Sequence, residues 1–195
     1  VPLSIPVGLT FGILWGLGRA ATSRRSRALV LVAAVFSCVV SFATLAWVMP
    51  AGNQAYRESN AGVTIARGAN ELTLVELGKV LESGQYESIG MASPRGRRSV
   101  AMAYHVRWAI ALAPFVLSLV ALVWTGRQRG RVAIVAVGCA MTVGYYLILF
   151  YAGRAYTFDR AMSAVAAAWA ANVAFLTLAA MLWISSRARL REVEE

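Results

Sequence analysis

Long apolar runs alternate with shorter polar segments along this chain. Five such runs occupy residues 2–18, 28–49, 106–124, 132–152 and 162–184. A hydrocarbon core about 30 Å thick requires about 20 helical residues, because each residue of a helix rises about 1.5 Å. Four runs reach that length and the first is marginal. The pattern predicts an all-α polytopic membrane protein with five transmembrane helices.

The spacing of the runs divides the chain into four parts. The only long connection follows the second run, and it is predicted to be a small extracytoplasmic (periplasmic) loop. The predicted parts are a two-helix membrane segment (1–49), this loop (50–105), a three-helix membrane segment (106–186) and a cytoplasmic tail (187–195).

The long loop carries local structural signals of its own. Thr73-Leu-Val-Glu76 has the pattern of a capping box, and the leucines that follow lie on one helical face. With Gly84 near its end, this pattern predicts a short amphipathic helix over residues 74–83. The later sequence Pro94-Arg-Gly-Arg-Arg98 predicts a flexible basic hinge.

Composition supports the membrane assignment. The chain of 195 residues is 59% hydrophobic and 14% charged, which argues against a disordered chain or a soluble domain. Lys and Arg together number 19 against 9 Asp and Glu, and all but one of the cations are Arg. Most of these arginines flank apolar runs, so they indicate membrane topology and anionic lipid headgroups rather than nucleic acid.

The arginines also predict the orientation. Three groups alternate onto one face of the membrane: Arg19, Arg24, Arg25 and Arg27; Arg127, Arg129 and Arg131; Arg187, Arg189 and Arg191. By the positive-inside rule this face is cytoplasmic, so the C-terminus is predicted inside and the first run starts outside. Arg95, Arg97, Arg98 and Arg107 lie on the opposite side, beside the long loop.

Groups suited to catalysis are sparse. The apolar runs contain no carboxylate, His105 is the only histidine, and no Gly-rich phosphate loop with a lysine occurs. Cys38 and Cys139 lie inside runs, where a thiol behaves as a small hydrophobe. The sequence therefore predicts no enzyme activity, no metal site and no cofactor.

Two features predict contacts between helices. Gly8, Gly12 and Gly16 recur every four residues and favour close packing, either within the chain or at a subunit interface. Asn172 lies about ten residues into the last run, where its amide requires a hydrogen-bond partner on another helix. A second small-residue face lies in the same run, at Ala166, Ala170 and Ala174.

Three polar side chains near the outer ends of runs are candidate lipid-headgroup contacts. Arg107 lies at the entrance to the third run, close to His105, and Arg154 follows the fourth run. A guanidinium group there can pair with a lipid phosphate, or its stem can lie along apolar surface with its charge at the interface. Both interpretations of Arg107 stay open.

Five motifs follow one another along the chain: Glu71-Leu-Thr-Leu-Val-Glu-Leu77, Tyr104-His-Val-Arg107, Arg127-Gln-Arg-Gly130, Gly144-Tyr-Tyr146 and Trp169-Ala-Ala-Asn172. In this order they resemble a known family, the LptF and LptG permease subunits of the lipopolysaccharide exporter. The first two runs resemble the second and third membrane helices of this family, so a sixth helix is expected before Val1.

The resemblance implies an inner-membrane permease without catalytic activity of its own. Its implied partners are lipopolysaccharide, a second permease subunit and a cytoplasmic ATPase dimer, and Arg107 corresponds to a basic residue at the periplasmic entrance of the fourth helix. The chain departs from the family in three respects. Residues 20–27 are basic where an acidic coupling helix is expected, residues 50–102 are too few for the periplasmic jellyroll, and Ala171 replaces a proline.

A second function, from a different class, also accounts for the sequence. The chain could be a small structural membrane protein that assembles through its Gly and Ala helix faces, without transport activity.

Overall fold

The computed structural model describes residues 8, 24–61, 69–125 and 131–194. The predicted helix over residues 2–18 lies outside these described residues except for Gly8, so Gly12 and Gly16 have no structural counterpart here.

The described residues form six α-helices and no β-strand. The helices are α1 (Arg24–Ala43), α2 (Met49–Ala61), α3 (Leu74–Ser83), α4 (Pro94–Thr125), α5 (Arg131–Arg154) and α6 (Ala164–Glu194). A π-helical segment, Thr44–Val48, joins α1 to α2, and a second one, Ala155–Asp159, extends α5. A 3₁₀ turn, Glu87–Ile89, lies between α3 and α4.

Four stretches of helix within the described residues are long and apolar enough to cross a membrane. They are Arg27–Tyr56, Pro94–Trp124, Ala136–Asp159 and Ala164–Ser186. Each contains most or all of one of the four longer apolar runs. The all-helical class and these four spans agree with the sequence prediction.

The second predicted span does not end at its proline. The helix continues through Pro50 to Ala61, with the π-helical segment directly before the proline. Proline has no N–H to donate to the carbonyl four residues earlier, and its ring crowds that carbonyl. The carbonyl four residues before Pro50 is that of Ala46, which lies in the π-helical segment Thr44–Val48. The wider π turn gives this carbonyl room beside the proline ring.

The predicted hinge at residues 94–98 is wrong. Pro94 is instead the first residue of α4, a position that suits its fixed φ and missing N–H. The backbone N–H of Gly96 donates to Ser93 Oγ at 3.0 Å, so Ser93 caps this helix. The sequence therefore starts a helix where its prolines and glycines suggested a break.

The predicted short helix is confirmed as α3. Thr73 Oγ1 accepts from the backbone N–H of Glu76 at 3.2 Å, and Thr73 N–H donates to Glu76 Oε2 at 2.7 Å. Gly84 ends the helix with φ 69°, a left-handed conformation that favours glycine. Leu77 and Val80 of α3 pack with Val100, which attaches residues 69–93 to the start of α4. We call these residues the outer segment, and 'outer' denotes only the end of the helix bundle at which α3 lies.

Helix α4 is the centre of the bundle. It packs against α1 and α6, and α5 packs mainly against α6. The main apolar core lies between these helices and includes Leu117, Val120, Tyr145 and Phe175. Helix α5 itself makes few contacts with α4, and its π-helical extension also contacts α4.

Candidate functional site

The seam between α4 and α6 is closed by small side chains. Five alanines are fully buried there or beside it: Ala109, Ala113, Ala167, Ala168 and Ala171. Lipid tails are as apolar as the helices, so no hydrophobic effect drives helices together inside a membrane. Their association depends instead on close van der Waals contact, which small residues permit. The sequence of this seam therefore determines how closely α6 approaches the central helix.

A polar centre lies within this seam. The Asn172 side chain donates from Nδ2 to the Ala109 carbonyl at 2.9 Å and accepts at Oδ1 from the Tyr145 hydroxyl at 3.0 Å. Asn172 is 1% exposed and Tyr145 is 0% exposed. The sequence predicts a hydrogen-bond partner for this amide on another helix. The structure shows hydrogen-bond partners on both α4 and α5.

A second buried polar group ties the outer segment to α4. Arg107 is 3% exposed, and its Nη1 and Nη2 donate to the backbone carbonyls of Leu72 at 2.5 Å and Ala69 at 3.2 Å. These carbonyls directly precede Thr73, the N-cap of α3. Arg107 thereby connects the start of α3 to a membrane-spanning helix.

An apolar groove of about 730 Å³ lies between the outer halves of α4 and α5. The wall on α4 is formed by Met102 and Val106. The wall on α5 and its π-helical extension is formed by Tyr146, Leu149, Phe150, Gly153, Arg154, Thr157 and Phe158. These residues recur every three or four positions, so they form one face of the helix.

Two arginines lie beside the same aromatic ring, Phe158, at the outer end of this groove. The guanidinium carbons of Arg95 and Arg154 lie 4.3 Å and 5.8 Å from the centre of the Phe158 ring. A cation over an aromatic face is stabilised by the ring quadrupole. Neither guanidinium forms an ion pair with any residue that the structure describes. We refer to Arg95 and Arg154 as the arginine pair.

One wall residue of the groove has an unused polar group. The Tyr146 hydroxyl is buried and forms no hydrogen bond within the part of the chain that the structure describes. Its neighbour along the chain, Tyr145, is the tyrosine that bonds to Asn172. The groove thus combines an apolar lining with two cations at one end.

Residues 57–185, about two thirds of the chain, match the family described as lipopolysaccharide export system permease LptF/LptG. The chain belongs to the LptF/LptG family. No curated protein and no solved structure matches it. The family and the four apolar helices together indicate a multi-pass transport component of the inner membrane. The groove and both buried polar centres lie within the matched residues of this LptF/LptG chain.

The candidate lipid contacts do not form one cluster in the LptF/LptG chain. Arg154 lines the groove, whereas Arg107 turns toward the outer segment at residues 69–72. The His105 ring meets the Tyr104 ring edge to face at 5.2 Å and is not part of the groove wall. The role of all three as headgroup contacts stays a prediction.

Sequence reasoning missed Arg95 and Tyr146 as members of the site. The signal for Arg95 was its position in a basic group on the side opposite the cytoplasmic arginines. The signal for Tyr146 was the four-residue spacing of Tyr146, Phe150, Arg154 and Phe158. Neither signal shows that α4 and α5 are close together at this end.

The small-residue features of the LptF/LptG chain divide between packed and exposed positions. On α6, Ala167 and Ala171 are buried in the seam, whereas Ala166 and Ala174 are exposed. A Cβ added to Gly8 would meet no described residue within 4 Å. The packing role predicted for the N-terminal glycines stays a prediction.

Proposed function

We propose that this LptF/LptG chain is a permease subunit of a lipopolysaccharide or glycolipid exporter, and that it moves an anionic lipid from the inner membrane toward the periplasm. The proposal rests on family membership and on one structural observation. That observation is an apolar groove in the membrane-spanning region that ends at two arginines without ion-pair partners among the described residues.

The groove suits a lipid because its two ends have different chemistry. The lining between Tyr146 and Gly153 is apolar, so an acyl chain can move into it from the bilayer without being exposed to water. The arginine pair can receive a phosphate, since guanidinium groups form strong charge-assisted hydrogen bonds with phosphate oxygens. An anionic headgroup would also balance two charges that both lie beside the Phe158 ring.

The positive-inside rule supports one orientation of this site. We infer that the arginine pair, α3 and the 3₁₀ turn lie on the periplasmic side, with the C-terminus in the cytoplasm. The groove then opens toward the outer leaflet of the inner membrane. The partners of the chain would be a second permease subunit and a cytoplasmic ATPase dimer, and the ATPase would perform any ATP hydrolysis.

Arg107 supports this function by a different route from Arg154. Two of its nitrogens already donate to the carbonyls of Leu72 and Ala69. Its burial leaves Arg154 as the residue better placed to contact a headgroup. We propose that Arg107 holds the outer segment beside the entrance of α4.

Lipid binding tests the proposal. The full chain would be placed in nanodiscs of zwitterionic lipid, and lipopolysaccharide binding would be measured as displacement of a fluorescent lipid A probe. We expect Arg154→Glu to weaken binding about ten-fold or more, because it replaces an attraction to phosphate with a repulsion. Arg95→Glu should weaken it in the same direction.

Arg25→Glu is the matched control. It makes the same charge change on an exposed residue near the start of α1, far along the helix from the outer segment. If Arg154→Glu, Arg95→Glu and Arg25→Glu all bind lipopolysaccharide like the unmodified chain, the proposal is wrong. That result would favour the structural membrane protein over the permease.

A further inference from the structure

Phe158, at the outer end of the groove, is in contact with both members of the arginine pair. It is a large apolar side chain, yet it is 56% exposed. The guanidinium carbon of Arg95 lies 4.3 Å from the centre of its ring, and that of Arg154 lies 5.8 Å from the same point. Both distances are within the range of about 6 Å in which an aromatic ring attracts a cation.

The two arginines reach this ring from different helices. Arg154 precedes Phe158 by four residues, and both side chains line the groove on the wall formed by α5 and its π-helical extension. Arg95 is the second residue of α4, which forms the opposite wall. The contact between Arg95 and Phe158 therefore joins the two walls of the groove at their outer end.

Like charges repel each other, so two guanidinium groups beside one side chain require an attraction that offsets this repulsion. The quadrupole of the aromatic ring provides such an attraction for each cation. An aliphatic side chain in the same place would form an apolar wall without it. Because the ring carries no net charge, it holds the cations without neutralising them, and both charges remain available to an anion.

We propose that Phe158 is a positioning residue, and that its ring holds Arg95 and Arg154 as one site for the phosphate of a lipid headgroup. This inference rests on the proposed lipid-binding function and adds the residue that builds the headgroup site from two helices. Phe158 contacts the cations and not the phosphate. Its effect on binding should therefore be absent when the lipid has no phosphate or when the arginines are neutralised.

Phosphatidic acid and diacylglycerol of equal chain length provide the probes, because only the first carries a phosphate. The affinity of the full chain for a fluorescent form of each lipid would be measured in zwitterionic nanodiscs. The ratio of the two affinities measures recognition of the phosphate. Phe158→Leu removes the ring but keeps an apolar side chain, whereas Phe158→Trp keeps an aromatic face, and tryptophan is the best aromatic partner of a cation.

Phe150→Leu is the matched control. Phe150 also lines the groove and is 63% exposed. Within the described part of the chain its ring contacts Tyr151, edge to face at 5.5 Å, and no guanidinium group. The control thus makes the same change in the groove wall without removing a ring from the arginine pair.

We expect the unmodified chain to prefer phosphatidic acid, and Phe158→Leu to reduce this preference about three- to ten-fold, as the loss of exposed cation–π contacts allows. Phe158→Trp and Phe150→Leu should keep the preference of the unmodified chain. In a chain that carries both Arg95→Gln and Arg154→Gln, adding Phe158→Leu should leave the ratio unchanged, because the ring then has no cation to position.

Three results would overturn the inference. The first is a preference for phosphatidic acid that Phe158→Leu leaves unchanged. The second is a loss of preference in Phe158→Trp as large as the loss in Phe158→Leu. The third is an equal reduction by Phe158→Leu with and without the two arginines, which would show that Phe158 acts only as part of the apolar wall.

Failure of this inference can be told apart from failure of the proposed function. If Arg154→Glu and Arg95→Glu weaken lipopolysaccharide binding but Phe158→Leu keeps the preference for phosphatidic acid, the arginines act without the ring, and only the inference is wrong. If the preference depends on Phe158 but the chain does not bind lipopolysaccharide, the inference holds for a phospholipid, and the proposed substrate is wrong.

Discussion

The two faces of α5 differ in how many of their polar side chains have a partner within the protein. On the face toward α4 and α6, Tyr145 is fully buried and bonds to Asn172, which in turn bonds to α4. On the groove face, Tyr146 is buried without a partner and Arg154 has no ion pair among the described residues. One face is complete as folded, and the other carries polar groups without a partner among the described residues.

Two glycines of α5 show the same difference. A Cβ on Gly144 would lie 3.6 Å from Phe175 Cζ, in ordinary contact with the core. A Cβ on Gly153 would lie 3.1 Å from Met102 Cε, the far end of a flexible side chain that lines the groove. We therefore expect changes on the closed face to alter stability and changes on the groove face to alter binding.

The largest effect on stability is expected for Asn172→Ala. This variant removes two interhelical hydrogen bonds and leaves a small cavity in the seam, so it should lower the free energy of unfolding by about 2 kcal/mol. Reversible unfolding in mixed micelles by added sodium dodecyl sulfate would measure the change.

Thr177→Ala is the control for Asn172→Ala. Thr177 lies on the same helix but is exposed, and its hydroxyl donates only to the Val173 carbonyl of its own helix at 2.9 Å. A loss for Asn172→Ala no greater than the loss for Thr177→Ala would mean that the polar centre does not stabilise the closed face.

A pair of identical substitutions tests the comparison directly. Gly144→Leu overpacks the closed face and should cost about 1.5 kcal/mol of stability. Gly153→Leu places its side chain in the groove, where Met102 can move aside, so it should cost less stability but displace bound lipid. Micelle unfolding and lipid A displacement would be measured for both variants. Equal stability losses for the two variants, or equal losses of binding, would remove the distinction between the faces.

The smallest effect is expected for Gly144→Ala. The added methyl group would sit at an ordinary contact distance from Phe175, and alanine favours the helix over glycine, so stability should change by less than about 1 kcal/mol. A clear loss in the same unfolding assay would show that the closed face is packed more tightly than the distances indicate.

Local features of the chain could be predicted because their causes are local. The capping box at Thr73 and Glu76 and the glycine that follows define α3 without help from the rest of the fold. The predicted hinge at Pro94 was wrong because a proline followed by a glycine suits both a hinge and the start of a helix. The Ser93 hydroxyl and the attachment of Val100 to the outer segment favour the helix.

Pairings between distant residues could not be predicted from the pattern. Burial of Asn172 in an apolar run required a partner, but nothing in the sequence identified the Ala109 carbonyl, 63 residues earlier. Arg107 looked like an interfacial cation, since its partners are backbone carbonyls that carry no side-chain signal. Arg95 and Arg154 meet only because one aromatic ring lies between the ends of two helices.

The sequence by itself determined that this protein belongs in a bilayer, which four described segments are long and apolar enough to span it, and which polar groups within those segments require partners. These properties depend on transfer free energies and helical geometry, and both are read from neighbouring residues. The tertiary structure alone decided which of those groups find a partner within the described part of the protein. That decision depends on how closely helices approach, which small differences in side-chain size set along each seam.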